Sequence, residues 1–231
     1  MTRAWRLTAR LPLLLVAAVA AYQFWIFGSI VRWIWVNPST SAFMDDRLEL
    51  LRQRNPDTVL RHQWVPYELI SVHLKRAIVA AEDAKFLNHE GFDWEAIQKA
   101  YEKNQKKGKV IAGGSTISQQ LAKNLFLSAR RTPWRKAEEA LITLMIENVM
   151  SKRRILEIYL NVIEWGNGVF GAQAAARHYY DISAADLGPE QAARLAAMVP
   201  RPRFYDKVRE TPLLERQTSI ILERMYDVQV P

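Results

Sequence analysis

A mainly α-helical domain behind a single membrane-spanning helix is the fold this sequence predicts, and three observations predict it. The first is an apolar run from Leu11 to Val31 that contains no charged side chain. The second is apolar spacing of three and four residues from Tyr67 onward, with no Val/Ile-rich run bounded by turn residues. The third is a succession of helix start and stop residues: Asp93, Ser115, Thr116 and Pro133 at starts, Gly91, Pro200 and Pro202 at breaks.

The apolar run comes first. Its roughly 21 residues would extend about 30 Å as a helix, the thickness of a bilayer's hydrocarbon core. Arg3, Arg6 and Arg10 precede it, and Trp25, Trp33 and Trp35 mark its far end, so the N-terminus is expected in the cytoplasm. Arg32 and Arg47 follow closely and reduce that bias. A cleavable signal peptide is the rival reading, because Ala18, Val19 and Ala20 form an A-x-A site. The apolar run continues past Ala20, which favours an anchor. This divides the chain into a tail over 1–10, a membrane helix over 11–31, a linker over 32–64 and a helical domain over 65–231.

A chain of 231 residues holds one ordinary domain beyond the anchor and is too short for two full catalytic domains. Of 32 Lys and Arg, three lie in the tail, which holds none of the 24 Asp and Glu, so the remainder is still moderately basic. An anchored basic domain suits anionic headgroups or a phosphate-bearing substrate, and its anchor keeps it from nucleic acid. The absence of cysteine excludes disulfides and thiolate metal sites.

Residues 37–66 are mixed, with Pro38, Pro56 and Pro66, and read as a linker with short helical turns. Ile70, Leu74, Ala77, Ile78 and Ala81 share one helical face, and the pattern is expected to end near Asn88, with Gly91 as terminator. Asp93 caps the next helix, which runs through Tyr101 into KNQKKGK, read as a solvated mobile loop. Gly113 and Gly114 then lead into a helix capped by Ser115 or Thr116 and running to about Phe126. Thr132 and Pro133 open another. Leu141, Ile142, Leu144, Met145, Ile146 and Val149 surround that helix on most sides, which marks it as the central, buried one. Further helices are expected from Lys152 to Ile163, around Val169 to Tyr180, from Pro189 to Met198 and from Leu214 to Asp227.

Glu82 ends an otherwise apolar helix beside Asp83. Two acids at a helix C-terminus oppose its dipole, which invites a functional reading against a capping or surface role. Glu139 shares a helical face with Ile142 and Ile146, and an acid that loses hydration gains proton affinity. Arg135 and Arg131, one and two turns before it, act the other way, and a buried structural Glu–Arg pair is the alternative. In GGSTISQQLAKNLF, the crowding of Gln119, Gln120, Lys123 and Asn124 requires a polar partner, a phosphate or a sugar, or else a solvated face. The paired glycines resemble an anion-binding helix start without Walker spacing. His62, His73, His89 and His178 lack the paired spacing of a zinc site, and His89 reads as a structural partner near Glu82. No G-x-S-x-G elbow occurs.

The stretches EDAKFLNHEG, GGSTISQQLAKNLF, RKAEEA and KRRILEIYLNVIEWG, in this order, resemble the successive motifs of the peptidoglycan glycosyltransferases, over roughly Val65 to Asp227. With one membrane helix and neither S-x-x-K nor K-T-G, the chain resembles the monofunctional members. The resemblance implies a lysozyme-like helical fold and a lipid-linked disaccharide-peptide substrate, lipid II, joined with inversion into β-1,4 glycan chains with release of undecaprenyl diphosphate. It implies that Glu82 is the base on the acceptor's 4-hydroxyl. Glu139 would be the second catalytic glutamate, assisting departure of the diphosphate as a proton source or through a divalent metal, Mg or Mn. Lys123, Arg131 and Arg135 would hold the diphosphate, and Gln120 and Asn124 would contact sugars. It also implies a place in the bacterial inner membrane with the catalytic domain on the periplasmic side. Partners would be lipid II, the growing strand and proteins of division or elongation.

Overall fold

The computed structural model describes residues 3–109, 113–127 and 133–231. Among these, the chain forms eleven α-helices and three very short strands. Helix α1 (Arg3–Arg32) contains an apolar stretch, Pro12–Arg32, long enough to cross a membrane. Pro12 is accommodated inside it. Its far end docks on the domain: Ile26 and Ile30 are buried, and Trp25 and Trp33 both pack on Phe126, with ring centroids 6.1 and 5.2 Å away.

Residues between α1 and the domain are more ordered than their mixed composition suggests. Ser41 caps α2 (Ala42–Arg52) by accepting from the Met44 N–H, and α2 packs on α5 (Ile117–Phe126). Arg47 of α2 pairs with Glu164 at 3.2 Å. Strand β1 (Arg61–His62) joins a three-stranded sheet, parallel to β3 (Val169–Phe170), which runs antiparallel to β2 (Glu164–Gly166). The sequence pattern gave no sign of these strands, because two or three residues are too few to show an alternation.

Helix α3 (Val72–Glu82) begins at the Ser71 cap and stops six residues before the predicted end near Asn88. Asp83 leaves the helix because its side chain bonds elsewhere, and a 3-10 turn, Phe86–Asn88, follows. Helix α4 (Trp94–Lys107) starts at Asp93, as predicted, but continues through the lysine-rich stretch to Gly108, whose φ of +61° ends it. The expected loop there is a helix: Lys106 and Lys107 lie in its last turn, where cations favour the helix dipole.

Helix α6 (Pro133–Val149) is not the central helix. Ile142 and Ile146 are fully buried, but Leu141 and Leu144 are 42% and 46% exposed, so only one face is covered. The central position belongs to α7 (Lys152–Val162), where Ile155, Leu156, Ile158, Tyr159 and Leu160 have no exposed surface. Burying each aliphatic side chain of this kind contributes about 1.5–3 kcal/mol, which makes α7 the main apolar anchor of the core. Helices α8 (Ala172–Tyr180), α9 (Pro189–Met198), α10 (Pro202–Lys207) and α11 (Pro212–Arg224) complete the domain, with α9 packed between α3 and α11.

Candidate active site

The junction between α3 and α5 positions the first acid. Asp83 Oδ2 accepts the N–H of Ile117 at 3.0 Å, and Oδ1 meets His89 Nε2 at 2.9 Å. The carboxylate therefore sits on the positive end of α5, where charge and dipole agree. This removes the apparent conflict of two acids at one helix C-terminus, since only Glu82 belongs to the end of α3. It also corrects the reading of the glycine pair as an anion-binding start, because the protein's own Asp83 occupies that helix end. Gly114 is small for a different reason: a Cβ there would lie 2.9 Å from Ile97 Cα of α4. Thr116 caps α5 through a capping box with Gln119, and its hydroxyl donates to the Gly91 carbonyl at 2.7 Å. Gly91, at φ +90°, presses against Thr143 of α6. These contacts fix α3, α5 and α6 relative to one another.

Glu82 is half-buried at the last position of α3, and its Oε2 accepts a hydrogen bond of 2.6 Å from Gln120 Nε2 of α5. Burial raises its carboxyl above the ordinary range, while Gln120 and Lys123 act against that and Asp83 adds to it. Glu82 also borders a cleft of 520 Å³ enclosed by α3, α9, α10 and α11, with Arg201, Tyr205, Gln217 and Arg224 on its walls. Ala81, predicted on the same face as Leu74 and Ile78, is exposed and lines this cleft.

Glu139 is 4% exposed on the inner face of α6 and forms an ion pair with Lys136 one turn earlier. Burial pulls the Lys123 ammonium down, Arg135 and Lys136 pull it further, and Glu139 and Glu82 oppose them. Both carboxylates thus act on one half-buried cation, and the sequence-predicted Glu82, Glu139, Gln120, Lys123 and Arg135 share one electrostatic neighbourhood. The Asn124 amide folds back onto its own helix, donating to the Gln120 backbone carbonyl at 2.7 Å. Arg131 lies outside the described residues, as does Thr132.

Four residues of the site were not singled out from the sequence. Lys136 was visible three residues before Glu139, a spacing that places side chains together on a helix. Phe43 of α2 stands 5.7 Å from Lys123 Nζ, so the segment read as a linker supplies a wall of the site. The cleft residues Gln217 and Arg224 recur at helical spacing with Leu213 and Ile220 along α11, a pattern obscured by their mixed polarity.

Among the described residues no group of three His, Asp or Glu could hold a metal ion. The Glu139 carboxylate is already paired with Lys136, and His62, His89 and His178 engage the Asn161 carbonyl, Asp83 and Asp206. The described residues alone therefore offer no ready set of ligands for a metal.

A family model described as Transglycosylase matches residues 49–226. A protein named biosynthetic peptidoglycan transglycosylase from Nitrosospira multiformis is 68% identical over 222 residues, covering 96% of each chain. Proteins of the same name from Methylobacillus flagellatus and Aromatoleum aromaticum are 67% and 56% identical, the first over 95% of this chain and 96% of its own, the second over the whole of both chains.

Proposed function

The chain belongs to the transglycosylase family, and we propose that within it this protein is a membrane-anchored peptidoglycan polymerase. It joins lipid II units into β-1,4 glycan chains with inversion and releases undecaprenyl diphosphate. Lys123 carries the reading: a half-buried cation on which both glutamates act suits a site where a base and a departing anion lie on either side of one reacting carbon.

In this mechanism the acceptor sugar lies in the cleft beside Glu82, with Arg201, Gln217 and Arg224 as polar contacts. Its 4-hydroxyl proton passes to the Glu82 carboxylate while the oxygen bonds to the donor's anomeric carbon. The bond from that carbon to the diphosphate breaks on the opposite face, and its electron pair leaves with the diphosphate. Burial strengthens Glu82 as a base, and the Gln120 donor keeps its ionised form accessible. Lys123, with Arg131 and Arg135, neutralises the charge that develops on the leaving group. Glu139, paired with Lys136, sets the position of these cations and assists departure. Asn124 serves as a nearby sugar contact. A divalent ion, where present, would accompany the substrate's diphosphate and offset its charge.

The anchor suits a substrate whose lipid tail stays in the bilayer. We place the N-terminus in the cytoplasm and the domain on the periplasmic side of the inner membrane, within reach of division or elongation proteins. The test is incubation of the purified full chain with lipid II in detergent, and separately with finished glycan strands. Polymer from the first and no small muropeptides from the second are expected. Muropeptide release without added lipid II, and no polymer, would replace the polymerase with a hydrolase.

A further inference from the structure

Tyr159 lies in the middle of α7, fully buried, on the opposite side of Gln120 from Glu82. Its hydroxyl donates to Gln120 Oε1 at 3.0 Å, while Gln120 Nε2 donates to Glu82 Oε2 at 2.6 Å. The Gln120 side chain is thus a bridge whose two ends differ: one end can only donate and the other only accept.

We propose that Tyr159 is a positioning residue for the transfer reaction, holding the Gln120 amide with its NH2 group toward Glu82 so that the carboxylate always meets a donor. The inference rests on the assignment of Glu82 as base. An amide has two orientations, and they serve opposite forms of the acid. With NH2 toward Glu82, the ionised carboxylate is satisfied. With the carbonyl toward Glu82, two oxygens face each other unless the acid is protonated. The first orientation uses the Tyr159 hydrogen; the second strands it, because among the described residues that hydroxyl has no other acceptor. The hydrogen is present throughout the working range, since burial and the nearby Glu82 and Asp83 push the phenol well above its ordinary value.

The bridge is rigid at both ends. α7 is held by Ile155, Leu156, Ile158 and Leu160, all buried, and α5 by its capping box and by Asp83. Glu82 needs such a device because Lys123, the cation that acts on it, is shared with Glu139.

Tyr159→Phe keeps the ring and removes the hydroxyl. Expected is a roughly tenfold lower kcat with KM for lipid II unchanged, and an acid limb of the kcat/KM profile displaced to higher pH by about half a unit or more. In a Gln120→Ala background the same substitution moves the limb no further, since the bridge is already gone. A structural role alone would scale the rate at every pH and lower the melting temperature. An unmoved limb in Tyr159→Phe, or an equal displacement in both backgrounds, overturns this inference while leaving the polymerase reading intact. A wild-type protein that makes no polymer overturns that reading, and the inference with it.

Discussion

Glu82 stands half-buried at the end of α3 against a neutral amide, whereas Glu139 is buried within α6 against an ammonium. The difference follows from where each helix points its acid. Glu82 looks into a cleft walled by α9, α10 and α11, so one side of its carboxyl stays open to an incoming hydroxyl. Glu139 looks inward toward Lys123 and Lys136, and its charge is matched by the protein before any substrate arrives. In the proposed mechanism one carboxylate takes a proton and the other holds cations in place. The asymmetry is electrostatic before it is chemical, and it can be broken one side at a time.

The largest effect is expected on the open side. Glu82→Gln removes the base and keeps the shape, and polymerisation measured with labelled lipid II should fall about 10³–10⁴-fold. A smaller loss is expected from the cationic side. Lys123→Ala should lower kcat/KM about 10²-fold and weaken donor binding, with helicity by circular dichroism unchanged.

A subtler effect concerns stability. The folded-state carboxyl of Glu82 is raised above the ordinary 4.5, so the folded chain binds this proton more readily than the unfolded one. Its contribution to stability is present at low pH and is lost as pH rises from about 4.5 through the raised value. Glu82→Gln escapes that loss. Its melting temperature in detergent should exceed wild type at pH 7, by about 2–4 °C for each kcal/mol relieved, and the gap should close toward pH 4.5.

Much of this was legible in the sequence. The long apolar N-terminal helix, the cap of α5 at Thr116 and the apolar flank of Glu139 all follow from local spacing. The order of four motifs carried the other candidates, and the structure brings Gln120, Lys123 and Arg135 beside the two glutamates. Pairings across the chain were not legible: Asp83 with Ile117, Arg47 with Glu164 and Phe43 with Lys123 join residues that no helical period relates. The choice of central helix failed for a related reason. The apolar residues of α6 outnumber one face, but periodicity cannot tell a core-facing Ile142 from an exposed Leu144, whereas α7 mixes charges with its core and still lies deepest. Leu144 belongs to the rim of a shallow pocket with Phe92 and Trp94.

The unequal division of labour is tested most directly by measuring donor binding and strand formation side by side in two variants. Glu82→Gln should bind lipid II as wild type does and form no strands, while Lys123→Ala should bind it weakly and form strands slowly. Strands from Glu82→Gln at near wild-type rate, or a loss of donor binding equal to that of Lys123→Ala, would contradict the assignment of Glu82 as the base.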